Sequence, residues 1–191
     1  MTVDVAQGRL AQVITPLLAE HPGKSGVVPL VDAREAFAAR VLLARQAQVR
    51  LDVQYYIWRH DITGTLLFEE LHAAAERGVK VRLLLDDHNT AGLDATLIGL
   101  HQHPNIEVRL FNPLRLRRPR FLNYLFDFRR VNRRMHNKAF VVDEQAVISG
   151  GRNIGDEYFG ATSDVLFADL DVLLIGSVVE HVVNDFERYW Q

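Results

Sequence analysis

The chain has 191 residues, a net charge of −2 and 48% hydrophobic content, which suits one domain with its own core. It has no cysteine, so disulfides and thiolate chemistry are excluded, in keeping with a reducing compartment. No apolar run approaches the ~20 residues that a membrane-spanning helix needs, and the N-terminus lacks the charged-then-apolar order of a secretion signal.

Val3–Glu20 has helical periodicity, with Leu10, Val13, Ile14, Leu17 and Leu18 on one side and a kink expected at Pro16. A loop follows from His21 to Gly26, then a short strand to Leu30. A second helix runs from Asp32 to about Ala47, with Asp32 as N-cap and Glu35 three residues on. Val49–Trp58 is the first clear strand, and Tyr55, Tyr56 and Trp58 close it where ligands sit in α/β sheets. Tyrosine and tryptophan at such a place serve the core as often as a site. Asp61 caps a helix through Arg77, Gly78 ends it, and Val79–Asp86 is the next strand. Asp86-Asp87-His88-Asn89 invites a metal reading, but turn and cap roles explain these residues better. His101-x-His103 is too weak a pattern for a metal pair. Helix Leu93–His101 and strand Ile106–Phe111 complete a β-α-β-α-β order, which predicts an α/β sandwich.

Between Arg115 and Lys138 stand nine basic residues and one acid, Asp127, for a net +8. The remainder carries 13 basic and 23 acidic residues, a net −10. A basic block on an acidic body implies an anionic partner near that block. Its apolar bulk comes from Phe121, Leu122, Leu125, Phe126 and Phe128. Such a segment suits an anionic membrane surface or single-stranded nucleic acid. It equally suits a helix packed on the domain with solvated arginines. The membrane reading assigns Arg117, Arg118, Phe121, Tyr124 and Phe126 to the lipid surface. The block runs directly into Met135-His136, so it should border whatever His136 does.

The run from His136 to Asp143 reads as a strand, in which His136 and Lys138 share a face and Asp143 takes the other. A neutral imidazole beside a fixed ammonium suits attack on a phosphodiester, the cation neutralising the non-bridging oxygens. Asp143 precedes a turn at Glu144-Gln145, so closing that turn is its expected direct task. Ala146–Ser149 reads as the return strand. The pair Gly150-Gly151 could bring bare N–H groups to an anion, and Asn153 adds a neutral donor. A lone His beside a Lys is usually structural, but the whole spacing is hard to meet by accident. No G-x-S-x-G elbow, Walker A loop or Cys-His zinc pattern is present. Asp156–Phe159 suggests a turn or short helix. Leu166–Gly176 suggests a strand with Asp169 and Asp171 on one face, either of which could hold the second nitrogen of a catalytic imidazole. The last helix, Ser177–Tyr189, reads as structural.

The pattern H-x-K-x4-D-x6-G-G-x-N, met by His136, Lys138, Asp143, Gly150, Gly151 and Asn153, resembles the phospholipase D superfamily. The wording RMHNKAFVVD and GGRNIGDEYFG is similar to its bacterial cardiolipin synthase branch, and LDVQYYIWRHDITG and GVKVRLLLDD look like the start of that family's domain. The resemblance implies a single α/β domain over residues 1–191, a mixed sheet flanked by helices on both faces. Residues 1–25 would be a helical extension and 112–134 a basic-aromatic insertion. It implies phosphatidyl transfer through a phosphohistidine on His136, with Lys138, Asp143 and Asp169 catalytic. Lys138, Asn153 and Gly151 would bind the phosphoryl group, and Glu157, Asp171 and Tyr56 would stand behind them. No metal or other cofactor is required. The expected substrate is an anionic, phosphatidylglycerol-like lipid met at the inner membrane from the bacterial cytoplasm, with nucleic acid an unlikely partner. The family needs two such motifs facing each other, and this chain has one. A second half is therefore expected, from a C-terminal domain of a longer enzyme or from a second copy. Two alternatives stand: a phosphodiesterase or nuclease on the same chemistry, and a non-catalytic membrane-binding domain.

Overall fold

The computed structural model describes residues 4–114, 131–162 and 167–191. The strands are β1 (Ser25–Leu30), β2 (Arg50–Tyr55), β3 (Lys80–Asp86), β4 (Ile106–Phe111), β5 (Ala139–Val142), β6 (Ala146–Gly150) and β7 (Asp171–Gly176). The helices are α1 (Arg9–Ala19), α2 (Ala33–Gln46), α3 (Ile62–Glu76), α4 (Asp94–His101), α5 (Asp156–Phe159) and α6 (Ser177–Trp190). Among the described residues the strands form one mixed sheet in the order β1-β7-β6-β5-β2-β3-β4. β2, β3 and β4 run parallel, joined through α3 and α4, and every other neighbouring pair is antiparallel.

Local signals set most boundaries. Asp32 accepts the N–H groups of Arg34 and Glu35 and starts α2, and Asp61 accepts that of Gly64 and starts α3, both as N-caps do. Asp143 and Glu144 both have positive φ, in a tight turn between β5 and β6 that the Gln145 N–H closes on Val142 O at 2.9 Å. Three strands are clearly shorter than the sequence suggests, and the first, β2, ends at Tyr55, ahead of Tyr56 and Trp58. β5 begins at Ala139, so His136 and Lys138 lie on the approach to it, and β7 begins at Asp171, so Asp169 precedes it. The N-terminal helix also differs, since Val5–Gln7 forms a separate 3-10 turn. α1 buries Ala11 and Ile14, and Val13 and Leu17 are 66% and 51% exposed.

Alternation of side chains across the sheet divides the core. Leu51, Val53, Tyr55, Leu83, Leu85, Phe140, Val142 and Ile148 face α2, α3, α4 and α5. On the other face Ala139, Val141 and Val147 meet Val179 of α6, and Leu84 meets Phe186 and Trp190. Arg82 of β3 pins the end of α6. It pairs with Asp52 at 2.6 Å and Glu187 at 2.6 Å, and its guanidinium lies 4.8 Å from the Phe186 ring centroid. Helices on both faces make this the expected α-β-α sandwich.

A buried charge cluster locks the layers where the site will stand. Asp171, at the start of β7, takes Arg40 of α2 at 2.8 Å and the Arg152 N–H at 3.1 Å. The Arg152 side chain donates to the carbonyls of Leu30 and Val31. Asp171 and Arg40 are both fully enclosed, a placement that charges accept only when paired and hydrogen-bonded.

Candidate active site

Register brings several strand ends to one edge of the sheet. Gln54 pairs with Ala139, Ala139 with Ser149, and Gly150 with Asp171, so the ends of β2 and β6 meet the starts of β5 and β7 there. Beyond the strands, Ile154 N–H donates to Ile57 O at 3.1 Å and Arg59 N–H donates to Ile154 O at 2.9 Å. These bonds tie the loop after β2 to the loop after β6.

His136 stands exposed at this edge with its ring stacked on Tyr56, centroids 4.0 Å apart and planes at 30°. The segment that presents it is anchored by Asp86 at the end of β3. That enclosed carboxylate accepts the Met135 N–H at 2.8 Å, the Arg134 guanidinium at 2.9 Å and the His88 N–H at 2.9 Å. Gln54 adds a contact to the Met135 sulfur at 3.0 Å. Asp86 therefore caps a turn, as expected, and also holds the residue before the histidine. Asp87 accepts the Leu114 N–H at 2.6 Å, and Asn112 donates to Arg133 O at 2.8 Å. Those bonds close the two stems of the basic-aromatic segment. The segment itself, with Arg117, Arg118, Phe121, Tyr124 and Phe126, lies outside the described residues.

Lys138 is half-buried and donates to the carbonyl of His136 at 2.8 Å. Burial holds its ammonium below the ordinary lysine range, against the opposing pull of Asp169 and Asp171. Asp169 is exposed, and its carboxylate lies where a Cβ on Gly151 would be, 1.7 Å away.

Several expectations need correction. Asp171 is not placed to hold the imidazole: its carboxylate is hydrogen-bonded to the Arg40 guanidinium and the Arg152 N–H. The Gly151 N–H donates to Leu170 O at 3.0 Å and is not offered to an anion. Gly150 and Gly151 are small because β6 passes the start of β7 so closely: a Cβ on Gly150 would come 2.4 Å from Leu170 O. Asn153 is 5% exposed. It accepts the Ile57 N–H at 3.0 Å and donates to the Tyr158 hydroxyl at 3.2 Å, so its carboxamide joins loops instead of meeting solvent. Asp143 lies at the far end of β5 from His136. It accepts the N–H groups of Gln48, Val49 and Arg50 at 2.8–2.9 Å, and so fastens the hairpin to the entry of β2 without reaching the imidazole. Glu157 pairs with Arg59 at 3.1 Å.

The weak histidine pair also has structural work. His101 Nδ1 accepts the Val108 N–H, and His103 Nδ1 accepts the Asn105 N–H, both at 3.1 Å. Among the described residues, His72, Glu76 and His103 gather ligand atoms within 4.8 Å of one another. The bond from Asn105 leaves the proton of neutral His103 on Nε2, facing Glu76 at 3.1 Å, which is a hydrogen bond and not a vacant metal ligand.

A family model described as "Cardiolipin synthase, PLD-like domain" matches residues 42–190. The chain belongs to that family. It is 59% identical to cardiolipin synthase C of Escherichia coli K12 over 182 residues, covering 95% of this chain and 38% of that protein. Well under half of that relative's length is therefore spanned. Among solved structures, NucT from Helicobacter pylori superposes with a TM-score of 0.64 at 16% identity, over 87% of this chain and 95% of that one. Phosphatidylserine synthase of Haemophilus influenzae gives 0.63 at 20% identity, over 83% of this chain and 35% of that one. These two likenesses establish the fold.

Within the PLD-like domain, sequence reasoning missed the flank that α6 adds. An open pocket of about 370 Å³ beside His136 and Lys138 is lined also by Gln54, Asn137, Ser149, His181 and Asp185. Asn137 donates to Asp185 at 2.8 Å, joining the segment that leads into β5 to the helix. The polar face of α6 was the available signal, but solvated helix faces look the same. No described helix is long and apolar enough to cross a membrane.

Proposed function

We propose that this domain carries one half of a phosphatidyltransferase site of the cardiolipin synthase kind, in which His136 is the nucleophile. The presentation of that imidazole supports the reading most. It is exposed, stacked on Tyr56, and carried on a segment fixed by a buried carboxylate, with the Lys138 ammonium two residues on.

His136 attacks phosphorus through one ring nitrogen. A P–N bond forms as the P–O bond to the first alcohol breaks, and the departing oxygen takes a proton from an acid of the second half. A second alcohol then attacks the phosphohistidine, yielding its proton to that same group as the P–N bond breaks. Lys138 offsets charge on the non-bridging oxygens. Asp169, beside Gly151 and close enough to bear on the Lys138 ammonium, is assigned to the other nitrogen of His136. Tyr56 keeps the ring in plane, and Glu157 orders the neighbouring loop through Arg59. The second motif comes from a further segment of a longer protein or from a second copy of this chain. An anionic, phosphatidylglycerol-like lipid is the proposed substrate, met by peripheral contact with the bacterial inner membrane.

Rapid quenching in neutral denaturant, which spares the acid-labile P–N bond, and phosphorus NMR after incubation with short-chain phosphatidylglycerol test this directly. A phosphohistidine adduct is expected on the wild type and none on His136→Asn. An adduct that survives His136→Asn, or adduct formation with oligonucleotide but not with the lipid, refutes the assignment.

A further inference from the structure

We propose that the cleft between α1 and β1 binds one acyl chain of an anionic membrane lipid, with Lys24 and His21 at its headgroup. The cleft is separate from the reacting edge, and its occupant does not depend on the role of His136.

The cleft encloses about 410 Å³, and none of its lining side chains is polar. Leu10, Ile14 and Leu17 of α1 form one wall, and Val28, Leu173 and Ile175 of the sheet form the other. A methylene is about the size of a water, which takes ~30 Å³ of the liquid, so about a dozen carbons fit. Leu17, Val27 and Val28 line the cleft and are still 51%, 57% and 54% exposed. Apolar side chains left this open on facing walls gain most from a ligand that is apolar along its length.

One end of the cleft is charged. An adjoining hollow shares Leu17, Gly26 and Ile175 with it and is lined also by His21, Lys24 and Ser25. A Cβ on Gly26 would come 2.8 Å from the Ile175 side chain, so the glycine leaves room where the two spaces meet. An acyl chain in the cleft therefore sets an anionic headgroup beside exposed Lys24 and His21. Glu144 borders Lys24 on its other side but is paired with Arg50.

Register puts this cleft at the far end of the sheet. Ile175 pairs with Ala146 beside the hairpin, and Asp171 pairs with Gly150 at the reacting edge, about 13 Å away along β7 at ~3.3 Å a residue. A lipid whose headgroup lies at Lys24 is turned away from His136 and is not the one transferred. α1 and β1, which supply most of the lining, also precede the matched residues 42–190. A second copy of the chain suits the cleft less well. Pro29 removes a backbone donor from β1, which blunts that edge for a further strand.

Methyl NMR of the whole 191-residue chain tests this in two arms. The first adds octanoate or dodecanoate below the micelle concentration, and neither has a phosphodiester for His136. Dodecanoate is expected to shift Leu10, Ile14, Val28 and Leu173. It should bind at least tenfold more tightly than octanoate, at about two- to fourfold per added methylene. The second arm uses bicelles of phosphatidylcholine with a minor share of phosphatidylglycerol that carries a mid-chain nitroxide. The same methyls should broaden, and less so when phosphatidylcholine carries the label. Leu17→Gln and Lys24→Glu, both at exposed side chains, should each weaken dodecanoate binding about threefold or more. Broadening confined to the His136 edge, affinity independent of chain length, or no effect of either substitution overturns the cleft and leaves the assignment of His136 standing. Dodecanoate binding without broadening in bicelles overturns the membrane lipid as occupant. A dimer in light scattering that Leu17→Gln dissolves overturns it in favour of a second copy.

Discussion

Replacing Asp143 with Ala separates the family's motif letter from its task in the fold. Asp143 is 3% exposed and accepts three backbone N–H groups of the α2–β2 connection. Removing the carboxylate strands all three donors. Each buried donor left unmatched costs about 1–3 kcal/mol. Gln48, Val49 and Arg50 are only half-buried, so water can reach them and the low end applies. The expected loss is about 3 kcal/mol, or roughly 6–12 °C in Tm for a chain of this size. Urea denaturation and calorimetry measure it, and phosphate titration at His136 monitors the site. Below the transition, phosphate affinity should stay within about twofold of the wild type, because Asp143 stands at the opposite end of β5. A variant of unchanged stability that no longer binds phosphate would refute this assignment and return Asp143 to the reacting groups.

Three further outcomes follow from the same geometry. Gly150→Ala places a Cβ 2.4 Å from the Leu170 carbonyl and 2.5 Å from the Asp171 Cα. Backbone must move, so Tm should fall by several degrees. Gly151→Ala meets only the Asp169 carboxylate, at 1.7 Å; the fold should survive and phosphohistidine formation should drop at least tenfold, and the two variants behaving alike would sink the distinction. Asp171→Asn leaves Arg40 and Arg152 enclosed without their counter-charge, at a cost of about 3–5 kcal/mol, which chemical denaturation would register; a change under 1 kcal/mol refutes it. For Lys138, burial lowers the folded pKa below the ordinary lysine value of 10.5. Its anion affinity should therefore decline at a lower pH than that of an ordinary lysine. Between the folded pKa and 10.5 the unfolded chain binds more protons, so stability rises with pH there. Lys138→Met should abolish both trends, and an alkaline profile identical to the wild type's would contradict the assignment.

Much of this molecule is written locally. The caps at Asp32 and Asp61 and the β-α-β-α-β order of elements follow from neighbours within a few residues, because propensity and capping act over one or two turns. The spacing of His136, Lys138 and the glycine pair is equally local, and with the wording around it points to the family. What the sequence left open depends on contacts between distant residues. Asp143 meets residues 93–95 positions away, Asn153 reaches Ile57, and Asp171 meets Arg40 across 131 positions. Nothing beside these residues in the chain distinguishes a carboxylate that binds substrate from one that fastens two strands. The same holds for His181 and Asp185, which read as an ordinary polar helix face until the sheet register sets α6 beside His136 and makes that face the wall of a pocket.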